Sequence, residues 1–215
     1  MPDLISRTAI RRTLVAISLS TLALVARAET ETTATPAFEQ CKQALGEKAV
    51  AAGVRESTVK SVMAGVVHLD RVIELDRRQP EFTTTFADYL NRRVNDARVG
   101  KGRELLAEHR KLLDRVTAET GVPAPYLAAF WGLETNYGSY FGKMPVPSAL
   151  ATLACDARRS SFFTEQWIAA LRIIDEGAIP ADQMEGSWAG AMGHVQFMPT
   201  VFLKHAVDAD GDGRR

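Results

Sequence analysis

Glu134 stands in the segment Trp131-Gly132-Leu133-Glu134-Thr135-Asn136-Tyr137-Gly138, a carboxylate among aromatic and small residues. A carboxyl on a mostly apolar helix loses water, which disfavours its charged form. Such a group can hold a proton at neutral pH, as cleavage of a glycosidic bond requires of its acid. At helical spacing Leu127, Phe130, Trp131 and Glu134 fall at i, i+3, i+4 and i+7, so Glu134 is expected on a core-facing stripe. The alternative at this point is a glutamate at the edge of that stripe, paired with an arginine. Further along comes Ser187-Trp188-Ala189-Gly190-Ala191-Met192-Gly193-His194-Val195-Gln196-Phe197-Met198-Pro199, with three Gly and two Ala between Gly186 and Gly193. Glycine permits close backbone approach to a ligand, or tight packing of a loop on a helix. Ser187 and Gln196 offer a hydroxyl and an amide that could orient sugar hydroxyls or an N-acetyl group. Trp188 and Phe197 could stack on a sugar ring or pack beneath it. The two segments together point to an enzyme acting on a polysaccharide.

Other candidate groups are more ambiguous. Arg158 and Arg159 follow Asp156-Ala157 and could hold a substrate carboxylate with their planar donor forks, or simply be solvated. His68, His109, His194 and His205 have no metal-ligand spacing, which favours core or surface roles, and no GxSxG or cysteine–histidine signature marks a nucleophile. Asp208-Ala209-Asp210-Gly211-Asp212-Gly213 matches the start of a calcium loop, D-x-D-x-D-G. The loop's twelfth position falls beyond Arg215, so Asp208, Asp210 and Asp212 are expected to form an incomplete calcium site. The chain then reads as the N-terminal portion of a longer protein, disordered after about Val207, with calcium a possible ligand of the full-length form and no cofactor required.

Arg7, Arg11 and Arg12 precede an uncharged run from Thr13 to Ala26, and Ala26-Arg27-Ala28 fits a small-x-small cleavage site. Residues 1–28 are therefore read as a secretory signal peptide, the apolar run being too short to span a bilayer. The first cysteine is Cys41, too far on to carry a lipid at the cut. The mature chain is expected to be periplasmic, without a membrane span, and monomeric. Residues 1–28 hold four Arg and one Asp, which leaves 22 basic against 25 acidic residues, a net charge of −3. That balance does not favour nucleic acid or anionic membrane as a partner. Cys41 and Cys155 could pair in an oxidising compartment, or remain two buried thiols.

The elements that must position these groups are helical. Residues 29–36 are polar and expected to be a flexible mature N-terminus. Beyond them one helix carries Phe38, Cys41, Leu45 and Ala49 and stops at Gly53, and a short one follows Ser57 as N-cap. Gln79-Pro80 breaks the chain before a segment at about 83–99. Leu105, His109, Leu112 and Val116 stripe a helix over about 101–120, ended by Gly121. The Glu134 helix opens at Pro123 and Pro125 and closes at Gly138, and a Gly/Pro-rich loop spans 138–147. Further helices are expected over 148–156, 161–176 and from Pro199 to about Val207. No strand-like alternation of useful length and no internal repeat is visible. The fold class is mainly α.

Six segments in order resemble the lytic murein transglycosylases of the B type: QPEF at 79–82, DYLNRRV at 88–94, WGLETNYG, DARRSSFF, SWAGAMGHVQFMP and DADGDGRR. The resemblance covers Phe38 to the last residue. It implies a lysozyme-like helical catalytic region over 37–215, incomplete at the C-terminus. It also implies a periplasmic enzyme that cuts the β-1,4 bond between N-acetylmuramic acid (MurNAc) and N-acetylglucosamine (GlcNAc) in peptidoglycan glycan strands, leaving a 1,6-anhydro end. By the same resemblance Glu134 is the catalytic acid/base, and Tyr89, Arg158, Arg159, Ser187 and Gln196 are saccharide contacts. Two readings stand beside it: a hydrolytic muramidase, which needs a second carboxylate, and a non-catalytic peptidoglycan-binding module.

Overall fold

The hydroxyl of Thr35 accepts the N–H of Phe38 at 3.3 Å, and Pro36, with no N–H to leave unpaired, takes the first helical position. Helix α1 (Pro36–Ala51) thus starts inside the stretch expected to be flexible. The computed structural model describes residues 35–78 and 84–215, so residues 1–28, read above as a signal peptide, residues 29–34 and the QPEF motif lie outside the described residues. Gly53, at φ 91°, follows the end of α1. Helices α2 (Glu56–Gly65) and α3 (Asp70–Arg78) come next, and the residue capping α2 is Arg55, not Ser57.

The two segments expected at about 83–99 and 101–120 are divided differently, into α4 (Phe86–Arg93), α5 (Asp96–Glu108) and α6 (Arg110–Thr120). Asn95 is one cause. Its side chain accepts the N–H of Arg98 at 3.0 Å and restarts the chain as an N-cap. A second break falls at His109 (φ −97°, ψ 19°), so the expected stripe does not continue: Leu105 is buried whereas Leu112 is 49% exposed. Gly121, at φ 76°, closes α6. Helix α7 (Ala124–Thr135) carries Glu134, and α8 (Val146–Ala154), α9 (Ser160–Asp175) and α10 (Pro199–His205) complete the helical set among the described residues. A ribbon of two antiparallel two-residue strands, β1 (Met144–Pro145) and β2 (Glu185–Gly186), pairs Met144 with Gly186 and Pro145 with Glu185. It is too short to leave a periodic trace in the sequence.

Every residue of α8 is buried. Small and aliphatic side chains let α9 lie closely along it, with Phe163, Trp167, Leu171 and Ile173 filling the contact. The two hydroxyls of α8 are not misplaced. Ser148 accepts the N–H of Val67 at 3.2 Å and Thr152 that of Leu69 at 3.1 Å, so these buried side chains satisfy backbone donors of the link between α2 and α3. Arg55 and Thr58 both reach Asp175 at the end of α9 (Nε–Oδ1 2.7 Å, Oγ1–Oδ1 2.5 Å), fastening α2 to that helix.

Cys41 of α1 and Cys155 at the end of α8 are disulfide-bonded, with Cα atoms 5.9 Å apart and 114 positions between them in sequence. A cross-link closing so long a loop acts mainly by restricting the unfolded chain. Replacing both cysteines by serine is expected to lower stability by about 3–4 kcal/mol. A fall in thermal midpoint, matched by reductant acting on the native chain, is the expected measurement; equal midpoints with and without reductant would contradict it.

Candidate active site

Glu134 lies one residue before the end of α7, and the way that helix ends decides where the carboxylate points. Asn136, Tyr137 and Gly138 all take left-handed backbone (φ 49°, 60° and 78°), a costly run outside glycine. Several contacts hold it. The hydroxyl of Thr135, a side chain only 2% exposed, donates to the carbonyl of His194 at 2.8 Å and accepts the N–H of Gly138 at 3.0 Å. Tyr137 donates its hydroxyl proton to the carbonyl of Arg98 at 2.9 Å, and its ring occupies a slot made by Gly102 of α5 and Gly132 of α7. A Cβ at either glycine would come within 2.4 to 2.6 Å of that ring or its hydroxyl.

The face of α7 that is buried differs from the expected stripe. Ala128, Gly132 and Thr135 are buried, whereas Phe130 is 63% exposed and Glu134 itself is exposed. Small residues face the neighbouring helices because they allow close approach. The larger side chains Tyr126 and Phe130 stand out on the side that carries Glu134, four residues apart in register with it. Glu134 therefore opens into a cleft, not into the core.

That cleft, of about 250 Å3, is walled by Leu75 of α3, by Tyr140, Phe141, Gly142 and Lys143 of the loop after α7, by the ribbon, and by Ser187, Trp188 and Gln196. Both segments singled out in the sequence meet here. Among the described residues lining the cleft, Glu134 is the only acid. Ser187 Oγ accepts the N–H of Ala191 at 3.0 Å, leaving its proton to donate outward. Gln196, at φ 49°, donates from Nε2 to the carbonyls of Phe141 and Gly193, both at 3.1 Å, so its amide oxygen is the atom left to a ligand. A two-residue bridge, Met192 with Phe197, clamps the turn that carries it. Gly142 is where glycine is required: at φ 92° a Cβ would lie 2.0 Å from the carbonyl oxygen of Gly186. A larger hollow of about 690 Å3 opens beyond Pro145 and Glu185, on the α2 side of the ribbon, but Glu134, Ser187 and Gln196 converge on the smaller cleft.

Arg158 and Arg159 are not among the residues lining the cleft. Both guanidinium groups bond Asp76 of α3: Arg158 Nε at 2.8 Å and Nη2 at 2.5 Å, with Arg159 Nη2 on the same carboxylate. Their forks thus serve a carboxylate of the protein itself. Asp76 is 2% exposed. Burial alone would push its carboxyl up, but the hydrogen bonds and charges of Arg158 and Arg159 outweigh that and hold it below its ordinary range. Leu75, the residue before Asp76, is a wall of the cleft, so the arginines act on the cleft through α3. Tyr89 also lies elsewhere, on α4, a helix without buried residues, its ring 5.6 Å from the Arg93 guanidinium. The cleft-lining residues that sequence reasoning did not single out are Leu75, Tyr140, Phe141, Gly142, Lys143 and Met144. Tyr140 and Phe141, a pair of aromatics in the glycine-rich loop directly after the Glu134 motif, were the available signal; Leu75 had none.

The segment after Val207 is folded, not disordered. Asp208 accepts the N–H of Gly211 at 2.7 Å and of Gly213 at 2.9 Å, bonds that hold its carboxyl below the usual range. Asp208, Asp210 and Asp212 bring one oxygen each within 4.8 Å of one another. Arg215 turns back to Glu176 at 2.5 Å and to the Leu203 carbonyl at 3.1 Å.

The fold is mainly α and lysozyme-like, and among the described residues its cleft of hydroxyl, amide and aromatic groups holds one carboxylic acid. Residues 37–215 match the family described as the transglycosylase SLT domain, and the chain belongs to that family. SltB3 from Pseudomonas aeruginosa, solved with NAG-NAM-pentapeptide and with NAG-anhNAM-pentapeptide, is 45% identical at a TM-score of 0.78, covering 82% of this chain and 47% of its own. Soluble lytic transglycosylase SltB1 from the same organism is 31% identical at a TM-score of 0.74, covering 81% of this chain and 59% of its own. Membrane-bound lytic murein transglycosylase B of Escherichia coli is 28% identical over 171 residues, which are 75% of this chain and 47% of the relative. The chain spans about half the length of the curated relative it matches. Among the described residues no helix is long and apolar enough to cross a membrane.

Asp76 supplies a test of the cleft's support. Its carboxyl is lowered on folding, so its contribution is present above the unfolded value of about 3.9 and is lost as pH falls through the lower folded value. Asp76→Asn leaves two arginines without their partner. At neutral pH this is expected to cost about 2–3 kcal/mol, the low end for a buried pair because both arginines are more than a third exposed. The variant's stability is also expected to change less than the native chain's on acidification below pH about 4. Equal denaturation midpoints at neutral pH would contradict this account.

Proposed function

We propose that this chain is a lytic transglycosylase that cleaves the MurNAc-β-1,4-GlcNAc bond of peptidoglycan and leaves 1,6-anhydro-MurNAc ends, with Glu134 as its one acid/base. The observation that carries the reading is that Glu134 is the only acid among the described residues lining the cleft. A hydrolytic muramidase uses two carboxylates, one as acid and one as nucleophile or as base towards water. Intramolecular transfer needs one. Protonated Glu134 donates to the leaving glycosidic oxygen, and the N-acetyl carbonyl of the substrate stabilises the developing positive charge at the anomeric carbon. The Glu134 carboxylate then takes the proton of the C6 hydroxyl as that oxygen attacks the anomeric carbon. The C1–O bond to the leaving sugar breaks, a C1–O6 bond forms, and no water is consumed.

Ser187, donating its hydroxyl proton, and Gln196, offering its amide oxygen, orient the sugars, while Trp188, Tyr140 and Phe141 provide aromatic surface. Arg158 and Arg159 contribute by fixing α3, and with it Leu75. Tyr89, on α4, is not among the residues lining the cleft and is proposed as a glycan contact outside it. The complex of SltB3 with a NAG-anhNAM-pentapeptide, at 45% identity, supports the anhydro product. Export by residues 1–28 and action in the periplasm on glycan strands as a monomer complete the proposal. The three carboxylates of the 208–212 loop suit a hard cation such as calcium, which takes six to eight oxygens. It would support the loop beside α9 and α10, and no chemical step depends on it.

Glu134→Gln keeps the shape of the side chain but cannot give and retake a proton. Release of anhydro-muropeptides from purified sacculi is expected to fall at least about a hundredfold, while the variant still binds glycan fragments. Substantial lytic activity in the variant would overturn Glu134 as the acid. Binding without lysis by the native chain would favour a non-catalytic peptidoglycan-binding module.

A further inference from the structure

We infer that His194 is a positioning residue for the cleft: its ring and carbonyl lock the turn that carries Gln196, and the loop that carries Phe141, onto the end of the Glu134 helix. Nε1 of Trp131 donates to Nδ1 of His194 at 2.9 Å. The His194 ring meets the Phe141 ring edge to face, with centroids 4.7 Å apart. The His194 carbonyl takes the hydroxyl of Thr135 at 2.8 Å. Gly138 lies against the same ring, since a Cβ there would come 2.6 Å from its Cε1. One residue thus touches three pieces of the cleft: α7 through Trp131 and Thr135, the following loop through Gly138 and Phe141, and its own turn, in which Gln196 sits two positions on.

Gln196 cannot fix itself. It occupies left-handed backbone at φ 49° and leans on carbonyls of the two loops that His194 joins. Trp131 is in turn braced from behind, its ring 5.7 Å from that of Tyr137 and 5.7 Å from that of His109. Tyr137 reaches the backbone of α5. The contacts form a continuous path from α5 through Tyr137, Trp131 and His194 to Phe141 and Gln196. The requirement at position 194 is an acceptor aimed at the indole N–H on a flat group that packs beside Phe141. Imidazole meets it while remaining exposed to solvent, so core burial is not the reason for a histidine here.

The inference rests on the reading of Glu134 and Gln196 as acid and sugar contact, and a double-mutant cycle between His194 and Trp131 tests it with two readouts. His194→Leu keeps bulk but removes the acceptor, His194→Gln keeps an acceptor, and Trp131→Phe removes the donor. In the native chain the Trp131 indole N–H is expected to give a distinct nitrogen-correlated NMR signal protected from exchange. His194→Leu should lose that protection at least about tenfold and His194→Gln should restore most of it. In release of muropeptides His194→Leu is expected to lower kcat/KM about tenfold, with glutamine rescuing most of the loss and Trp131→Phe making His194→Leu nearly silent. Unchanged indole protection in His194→Leu, or losses that simply add in the double variant, would overturn the proposal. If the native chain releases no muropeptide, the functional reading fails, and the indole signal still decides whether His194 holds the turn.

Discussion

Helix α7 must stop almost as soon as it has presented Glu134, and the rest of the cleft depends on how it stops. Three successive residues, Asn136 to Gly138, turn left-handed, and two of them carry side chains that make this costly. The cost is offset locally by Thr135, a buried hydroxyl that serves the left-handed run and the Gly193–Gln196 turn at once. Tyr137, displaced by this geometry from the regular helical path, becomes the wedge between α5 and α7 in the slot left by Gly102 and Gly132. The same turn throws the following loop back across the front of Glu134, where Tyr140, Phe141 and Lys143 become one wall of the cleft.

The opposite wall is held by a more rigid frame. Buried α8 lies against α9, and the ribbon that leads into it brings Met144 beside Gly186 and hence Ser187 beside the loop. Neither Gly142 nor Gly186 tolerates a side chain: a Cβ on Gly142 would meet the carbonyl of Gly186, and one on Gly186 the carbonyl of Ala191. On the third side Asp76 ties α3 to the start of α9 through Arg158 and Arg159, which fixes Leu75. A buried carboxylate between two guanidinium groups contributes little net stability over an apolar contact, but it does set one orientation of α3, because misplacing it would strand a charge.

The helical class, the stretches of α1, α2 and α7 to α10, the Gly53 and Gly121 stops, and the residue types of Glu134, Ser187 and Gln196 were legible in the sequence, whereas α3 was not read and α4 to α6 were divided differently. What could not be read was long-range. Arg158 and Arg159 looked like free cations since their partner, Asp76, lies 82 positions upstream for Arg158. The burial of α7 was misjudged for a different reason. A stripe of large apolar residues is the usual mark of a core face, yet here Ala128, Gly132 and Thr135 face inward, and at Gly132 the ring of Tyr137 leaves no room for a Cβ. Phe130 and Glu134 were left on the outside together. His194 stood inside a recognisable motif, but its role depends on the indole of Trp131, which only the fold brings to it.

With one carboxylic acid among the described residues of the cleft, the account holds that the C6 hydroxyl of the substrate replaces water as the nucleophile. Digesting purified sacculi in water enriched in heavy oxygen and weighing the new MurNAc ends tests this directly. The account predicts anhydro ends one water lighter than reducing ends and free of label. Labelled reducing ends formed by the native chain and lost with Glu134→Gln would contradict it, and would require a second catalytic carboxylate.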